Sequence, residues 1–147
     1  MLDASSGKIM RRIDSTHEKN IHCISLPQPS VHVQLNSDAY QIFATSSIDN
    51  VIALWDIRTP RTVARYCSHV NKRENISCSF SPCVQYLSTG SEDKSARIID
   101  IRTGKELVKL LGHKDVVSSV AFNPLSPQLA TCSYDGQIKF YGESSDL

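Results

Sequence analysis

The chain has 147 residues, of which 40% are hydrophobic, so it is long and apolar enough to bury a core. Its 16 basic and 15 acidic residues leave a formal charge of +1, which gives no long-range field to attract nucleic acid or an anionic membrane. The longest apolar runs fall far short of the ~20 residues that a membrane span needs, and no basic and apolar leader opens the chain. We expect a soluble intracellular protein, cytoplasmic or alternatively nuclear.

Short β-strands are predicted along the whole chain, because β-rich runs alternate with turn residues. Proline turns at Ser81-Pro82 and Asn123-Pro124 mark two of the strand ends. The predicted strands are Lys8–Ile13, Ile21–Leu26, Gln41–Ser46, Val51–Asp56, Thr62–Cys67, Ile76–Phe80, Tyr86–Gly90, Ser95–Asp100, Glu106–Leu111, Val117–Phe122, Leu129–Ser133 and Gln137–Tyr141. No stretch has a convincing helical pattern, so the sequence predicts an all-β fold.

One stretch, Phe43–Arg58 (FATSSIDNVIALWDIR), predicts a β-hairpin with Asp49-Asn50 at its turn. The pattern returns as Leu87–Arg102 and again as Leu129–Gly142. Val51–Trp55 is apolar on both faces, which predicts a strand that is covered on both sides. The chain is therefore interpreted as three repeats.

The repeats hold the same residue types at matching places. The turn aspartates lie 44 and 42 residues apart, and a threonine precedes each of them by four positions. The strand ends six positions after each aspartate, and a histidine lies upstream of each hairpin. The matching residues are His17, Thr45, Asp49 and Trp55 in repeat 1, His69, Thr89, Asp93 and Ile99 in repeat 2, and His113, Thr131, Asp135 and Tyr141 in repeat 3.

A period near 42 residues, with Gly112-His113 at one end of a repeat and Trp55-Asp56 at the other, resembles the WD40 repeat family over nearly the whole chain. The resemblance implies a β-propeller segment of about three four-stranded antiparallel blades. Complete rings have about four to eight blades, so we expect an incomplete ring. The expected divisions are residues 1–14, the tail of a preceding repeat with an outer strand; 15–61, repeat 1 with a loop inserted at 27–38; 62–105, repeat 2; and 106–147, repeat 3 with a short tail.

In the WD40 family the matching places form a structural hydrogen-bond network that runs from a tryptophan N–H to a hydroxyl, to a histidine and to the turn aspartate. The resemblance implies a complete network in repeat 1. In repeat 2, Ile99 has no N–H to donate, so the network is expected to end at Thr89. In repeat 3, Tyr141 is the expected substitute donor. Each buried polar group then has a partner, which avoids an orphan cost of about 1–3 kcal/mol.

The same residues admit a catalytic alternative, a hydrolase in which His17 is the base, Asp49 orients it and Thr45 is the nucleophile. Three near copies of such a triad in one chain make little catalytic sense, and the G-x-S-x-G nucleophile elbow is missing. We therefore expect a protein that is not an enzyme and has no catalytic residues, with the hydrolase as a less favoured alternative.

The five cysteines are expected to be reduced and structural, since Cys23, Cys78 and Cys132 lie in the interior of predicted strands. Cys67, His69, Cys78 and Cys83 offer four soft ligands within seventeen residues, but their spacing fits no compact zinc module. We expect neither a metal nor a cofactor.

Partner binding is expected at one rim of the blades. Ten residues are inserted between the first two strands of repeat 1, and Val31, Val33 and Leu35 alternate there with polar residues. This alternation predicts an extended arm or a small hairpin, with a plain surface loop as the alternative. Because successive strands run antiparallel, the insertion shares a rim with Arg58 and Arg102.

Trp55-Asp56-Ile57-Arg58 also resembles the WD-x-R box of substrate receptors in Cullin4 ubiquitin ligases, in which the arginine helps to dock the adaptor. The favoured function is a non-catalytic scaffold for protein–protein interaction, and a ligase substrate receptor is the alternative. Three blades leave two side faces open, so we also expect self-association. In a two-copy ring, Lys8–Ile13 of one copy would close the last blade of the other.

Overall fold

The computed structural model describes residues 7–9, 11–14, 17–30 and 33–142. Within these ranges the chain forms eleven β-strands in three antiparallel sheets. Sheet 1 contains β1 (Ile21–Ser25), β2 (Ile42–Ser47), β3 (Ile52–Asp56) and β4 (Thr62–Tyr66). Sheet 2 contains β5 (Cys78–Phe80), β6 (Tyr86–Thr89), β7 (Ala96–Asp100) and β8 (Glu106–Leu110). Sheet 3 contains β9 (Val117–Phe122), β10 (Gln128–Ser133) and β11 (Ile138–Gly142).

Every sheet is an up-and-down meander, since strands that follow one another in the chain are hydrogen-bonded neighbours. The all-β class and the succession of antiparallel sheets that the sequence predicts are confirmed. None of the described residues belongs to a helix that is long and apolar enough to cross a membrane.

The strand predicted at Lys8–Ile13 is not formed in the described part of that range, where only Ile9 has β-bridge geometry. An outer strand is stable only against a neighbouring strand of its own sheet, and none of the three sheets includes a described residue of this range. The guanidinium of Arg11 donates instead to the carbonyl oxygen of Ile57. The other eleven predicted strands are present, with ends that differ by at most two residues.

The loop inserted in repeat 1 is more compact than an extended arm. Ser30 and Val33 form an isolated antiparallel bridge, and a 3₁₀ helix follows at Ser37–Gln41. The helix begins after Asn36, whose side chain accepts a hydrogen bond from the backbone N–H of Ala39 at 3.3 Å. The extended arm, one of the two predicted forms, is therefore not what the described residues show, and Val31 lies outside them.

The second and third strands of each sheet are joined by a turn that needs a positive φ. Asn50, Lys94 and Gly136 follow the three turn aspartates, and their φ angles are 67°, 67° and 78°. Asparagine and glycine adopt this left-handed region most readily. The prediction of a hairpin turn at Asp49-Asn50 is consistent with this geometry.

Two apolar clusters lie between the sheets. The cluster between sheets 1 and 2 consists of Ala44, Ile52, Leu54, Tyr66, Cys78, Phe80, Leu87 and Ile99. The cluster between sheets 2 and 3 consists of Ala96, Val117, Val120 and Leu129. Burying a large aliphatic side chain is worth about 1.5–3 kcal/mol, so stacking of one sheet on the next stabilises the chain.

The backbones of sheets 2 and 3 come close together at Gly90. A Cβ atom on this residue would lie 2.0 Å from the carbonyl oxygen of Val117, which is much closer than any real contact. The backbones also pair nearby, where Ser91 and Val117 form an isolated antiparallel bridge. Glycine is needed at this position because it lacks a side chain.

Candidate functional site

In repeat 1, four side chains form a continuous hydrogen-bond network. The indole N–H of Trp55 donates to Thr45 Oγ1 at 2.8 Å, and Thr45 Oγ1 lies 2.8 Å from His17 Nε2. The other ring nitrogen, Nδ1, lies 2.9 Å from Asp49 Oδ2. A carboxylate only accepts, so Nδ1 donates to Asp49, while Nε2 is paired with the hydroxyl of Thr45. The network joins the loop before β1 to the β2–β3 hairpin.

The network is closed to solvent. The side chain of His17 is 0% exposed and that of Asp49 is 4% exposed. Burial alone would raise the pKa of Asp49, but hydrogen bonds from His17 and from the backbone N–H groups of Glu18 and Val51 hold that pKa below its usual value. A base, a carboxylate and a hydroxyl thus lie together where a substrate has no access, which suits a structural role.

Repeat 3 has the same link between its histidine, threonine and aspartate. His113 Nε2 lies 2.8 Å from Thr131 Oγ1, and His113 Nδ1 lies 3.0 Å from Asp135 Oδ2. The prediction that Tyr141 donates to this threonine is wrong, because its hydroxyl donates instead to the carbonyl oxygen of Leu111 at 3.2 Å. A phenol is longer than an indole N–H and reaches past the threonine to the backbone.

Repeat 2 does not form the network, although it has all three residue types. Neither ring nitrogen of His69 has a hydrogen-bond partner among the described residues, although only 3% of the residue is exposed. The hydroxyl of Thr89 donates to backbone carbonyl oxygens, including that of Gly90 at 3.0 Å. The prediction that the network of repeat 2 ends at Thr89, with His69 and Asp93 still joined, is therefore wrong.

The reason is that Asp93 binds two cations. The guanidinium of Arg97 donates to Asp93 Oδ2, and Lys109 Nζ lies 2.9 Å from the same oxygen. Strands β7 and β8 place these two basic residues opposite each other. Burial would raise the pKa of Asp93, but donors from Ser95, Lys109 and Arg97 lower it well below its usual value.

The three repeats differ in the fourth residue after the turn aspartate. It is Ala53 in repeat 1, which has no charge, and Arg97 in repeat 2. In repeat 3 it is Lys139, whose ammonium donates to the carbonyl oxygen of Gly112. Asp135 therefore keeps its hydrogen bond with His113. The basic residue at position 97 was the sequence signal for the rearrangement, and the comparison of histidine, threonine and aspartate alone did not use it.

Sequence reasoning also missed two links in the loop that connects sheets 1 and 2. Asn71 is fully buried, and its backbone N–H donates to Asn50 Oδ1 at 2.6 Å. Glu92 Oε1 accepts hydrogen bonds from three successive backbone N–H groups, those of Lys72, Arg73 and Glu74. Both links fix this loop against the hairpin turns of sheets 1 and 2.

At the opposite rim, Arg58 is bound within the chain. Its guanidinium forms a two-point ion pair with Asp56, at 2.8 Å for the Nη2 contact, and Nη1 lies 2.9 Å from Asp38 in the 3₁₀ helix. The hydrogen bond to Asp56 raises the pKa of Arg58. The Arg58 side chain remains 55% exposed, so this arginine is both held in place and reachable.

The other predicted partner residues lie near the same rim, except for Val31, which lies outside the described residues. Arg102 is exposed beside Gln85, whose backbone carbonyl oxygen accepts from the N–H of Ile101 at 2.9 Å. Val33 and Leu35 are half-buried. The inserted loop crosses toward sheet 3, where the hydroxyl of Ser30 donates to the carbonyl oxygen of Pro124 at 2.6 Å.

An apolar cleft of about 370 Å³ opens between the inserted loop and the turns of sheets 2 and 3. The side chains that line it carry no charge, and they include Pro82, Tyr86, Phe122 and Leu125. Leu125 is 62% exposed. We call this feature the rim cleft.

Metal ligands are not gathered in the part of the chain that the structure describes, where no three His, Cys, Asp or Glu residues are placed to bind one ion. All five cysteines, Cys67, Cys78 and Cys83 among them, are free thiols.

Residues 61–100 and 104–142, more than half of the chain, match the WD40 family model, described as "WD domain, G-beta repeat". The chain is 29% identical over 143 residues to periodic tryptophan protein 2 of Arabidopsis thaliana, which covers 96% of this chain and 16% of that protein. It is 31% identical over 102 residues to WD repeat domain-containing protein 83 of Danio rerio, which covers 69% of this chain and 32% of that protein.

Among solved structures, the RRP9 WD40 repeats superpose with a TM-score of 0.71 at 20% sequence identity, over 90% of this chain and 38% of that one. The structure of U3-55K superposes with a TM-score of 0.70 at the same identity. At this identity the likeness concerns the fold. The chain spans well under half the length of each of these four proteins.

Proposed function

Because this chain belongs to the WD40 repeat family, we propose that it is a non-catalytic scaffold that binds another protein at its rim. WD40 repeat proteins generally serve as scaffolds for protein interactions. Stacked sheets form a stiff body, and the turns at their ends can vary without altering the core.

The rim cleft is the observation that carries the proposal. Its lining is uncharged and rich in proline and aromatic side chains, a composition that suits an apolar side chain of a partner. Three serines, Ser30, Ser81 and Ser126, add polar groups to this apolar lining.

A charge placed in the rim cleft tests this function. Leu125→Glu is expected to fold normally, since the side chain is 62% exposed, and to lose the proteins that the unaltered chain retains in quantitative affinity purification. Leu107→Glu is the matched control, because Leu107 is 51% exposed on β8, outside the cleft. Equal recovery of every partner by wild type and Leu125→Glu would contradict the proposal.

The non-catalytic part rests on burial. The histidine of the hydrolase alternative is 0% exposed, and its hydroxyl partner Thr45 already accepts from Trp55. A nucleophile must be within reach of a substrate, so this arrangement favours stability over catalysis.

A ligase substrate receptor is the second candidate, and the position of Arg58 favours it. Asp56 and Asp38 hold the guanidinium in one orientation while the side chain stays 55% exposed, which would lower the entropy lost on docking. Arg58→Ala is expected to lose the Cullin4 adaptor in a pull-down, and Arg102→Ala is the control on sheet 2. Full recovery of the adaptor by Arg58→Ala would remove this candidate.

Self-association is proposed from the uncovered face of sheet 3. The strand pairing places Ala130 beside Phe140 and Cys132 beside Ile138, as it places Ala44 beside Leu54 and Ser46 beside Ile52 in sheet 1. Ile52 and Leu54 are at most 3% exposed beneath sheet 2, whereas Ile138 and Phe140 are 64% and 72% exposed. A second copy would cover these two side chains.

Light scattering at high concentration is expected to give the mass of a dimer for wild type and of a monomer for Phe140→Glu. Val63→Glu, at a position that is 56% exposed on β4, is the control and should remain a dimer. A wild-type chain that stays monomeric at every concentration would exclude self-association.

A further inference from the structure

Two cysteines face each other where sheets 1 and 2 meet. Cys23 lies on β1, and Cys78 lies on β5 and belongs to the apolar cluster between the sheets, against which Cys23 packs. Cys23 Sγ lies 4.0 Å from the carbonyl oxygen of Cys78, although 55 residues separate them in the chain. The two cysteines are thus neighbours through folding and not through sequence.

The interface between sheets 2 and 3 supports this placement, because the register relates its residues to the cysteines. Ser77 and Ser119 hold the place of Cys23, because each of the three lies opposite the residue that follows the threonine of its repeat. Val120 holds the place of Cys78, since both pair with the threonine of their repeat. Ser77 Oγ lies 3.0 Å from the backbone N of Val120 and 3.2 Å from Ser119 Oγ. Side chains at this place therefore touch the next sheet.

We propose that Cys23 and Cys78 form a peroxide-reactive thiol pair that closes to a disulfide between sheets 1 and 2. The oxidant is hydrogen peroxide. The Cys23 thiolate attacks the peroxide O–O bond, takes one oxygen as a sulfenic acid and releases hydroxide. Cys78 sulfur then attacks the sulfenic sulfur, and the departing hydroxide takes the Cys78 proton to leave as water. Both thiols are oxidised by one electron each, and the peroxide takes up two electrons.

The environments of the two thiols assign their roles. A hydrogen bond from the Cys78 thiol lowers the pKa of Cys23 to about 6, against the effect of burial. The same contact and burial raise the pKa of Cys78. Cys23 is also partly exposed, whereas Cys78 is 4% exposed. Cys23 is thus the thiol that meets the peroxide, and Cys78 is the thiol that resolves the sulfenic acid.

Disulfide mapping of the full chain tests the proposal. The chain is treated with a small excess of hydrogen peroxide, and its remaining thiols are blocked. Trypsin leaves Cys78 and Cys83 in one peptide, so chymotrypsin is added to cleave after Phe80. We expect a Cys23–Cys78 linkage within one chain, the loss of two free thiols and the return of both with dithiothreitol. A linkage that involves Cys67 or Cys83 instead would overturn the proposal.

Three variants separate the steps. Cys67→Ser removes an exposed thiol on another surface and should leave the linkage intact. Cys23→Ser should abolish it. Cys78→Ser should stop the reaction at the sulfenic acid, which dimedone labels on Cys23. Dimedone labelling of Cys23 in the wild-type chain without any disulfide would also overturn the proposal, and that outcome requires no variant to fold.

Discussion

Repeats 1 and 3 differ from repeat 2 in what holds their hairpins, although all three have a histidine, a threonine and an aspartate at matching places. In repeats 1 and 3 the aspartate binds the histidine. In repeat 2 it binds Arg97 and Lys109, and the buried His69 is left without a hydrogen-bond partner among the described residues. The comparison shows that matching residue types are not enough to form the network. In repeat 2 the cations Arg97 and Lys109 compete with the histidine for the aspartate carboxylate, and the network does not form.

The two arrangements differ in how they depend on solvent. The imidazole link of repeat 1 is buried, so its hydrogen bonds have no competition from water. The ion pairs of repeat 2 are partly open, with Lys109 43% and Asp93 26% exposed, and are screened accordingly. Sheet 2 relies more on apolar packing, in which Ile99 is fully buried at the place of the tryptophan.

The largest effect is expected for Asp49→Ala. The change leaves the buried Nδ1–H of His17 without an acceptor and also removes an acceptor for the backbone N–H of Val51. At about 1–3 kcal/mol for an orphaned buried donor, we expect the free energy of unfolding to fall by about 3 kcal/mol and the Tm by roughly 10 °C. Urea titration and calorimetry measure both.

The matching change in repeat 2, Asp93→Ala, should cost less, on the order of 1 kcal/mol, because Arg97 keeps Glu106 at 3.2 Å. The cost of Asp49→Ala should also shrink as the pH falls below the ordinary aspartate pKa of about 3.9, since the depressed pKa of Asp49 stabilises the fold only while the unfolded carboxyl is ionised. Equal costs for the two variants at neutral pH would contradict the comparison.

The next effect concerns pH and His69. Burial, with Arg97 and His22 nearby, lowers the pKa of His69 from 6.5 to about 4, while Asp49 and Asp93 oppose the shift. Between these two values the unfolded chain takes up a proton that the folded chain refuses. Stability is therefore complete above about pH 6.5 and declines toward pH 4, by roughly 3 kcal/mol in total.

His69→Leu should remove this part of the pH dependence. Because the replaced ring nitrogens have no hydrogen-bond partners among the described residues, the variant should be at least as stable as wild type at pH 7. Urea titrations of both proteins at pH 7 and pH 4.5 give the comparison. Parallel loss of stability in both proteins would show that His69 does not carry the effect.

A smaller effect is expected for Trp55→Phe. The ring of Trp55 stacks on Phe43 with centroids 6.2 Å apart, and a phenyl ring keeps most of that contact. What is lost is the N–H that donates to Thr45 and some buried surface, so the free energy of unfolding should fall by about 1–2 kcal/mol. A loss as large as that of Asp49→Ala would mean that packing and not the network dominates.

The smallest effect is expected for Tyr141→Phe in repeat 3. Its hydroxyl contacts only an exposed backbone oxygen among the described residues, that of Leu111. We expect a change within about 0.5 kcal/mol. If this variant lost as much stability as Trp55→Phe, the phenol would have to belong to the network after all.

The repeat period was enough to predict eleven of the strands and the succession of sheets, because turn aspartates and apolar runs act locally. The strand expected at Lys8–Ile13 failed for a non-local reason, since a strand also needs a neighbour. The helix at Ser37–Gln41 could have been found from Asn36, whose side chain caps it.

The network was predictable only in part. Its members in repeat 1 follow from the resemblance to WD40 repeats, carried over to the residues at the matching places. In repeat 2 the outcome depends on the register of β7 against β8, which brings Lys109 beside Arg97 and both toward Asp93. The spacing within one repeat does not show which charged side chains compete for Asp93 in the folded chain. The basic residue Arg97 was nevertheless a sign in the sequence that such competition could occur.

Gly90 bears on whether the three repeats are interchangeable modules. Ser46 and Cys132 hold the equivalent position in repeats 1 and 3, and both have a side chain where the carbonyl of Val117 leaves no room. Transplanting either repeat into the middle position would therefore force the neighbouring units apart. The middle repeat therefore requires a residue without a Cβ atom at this position. Duplicated or shuffled versions of this chain would have to restore that glycine.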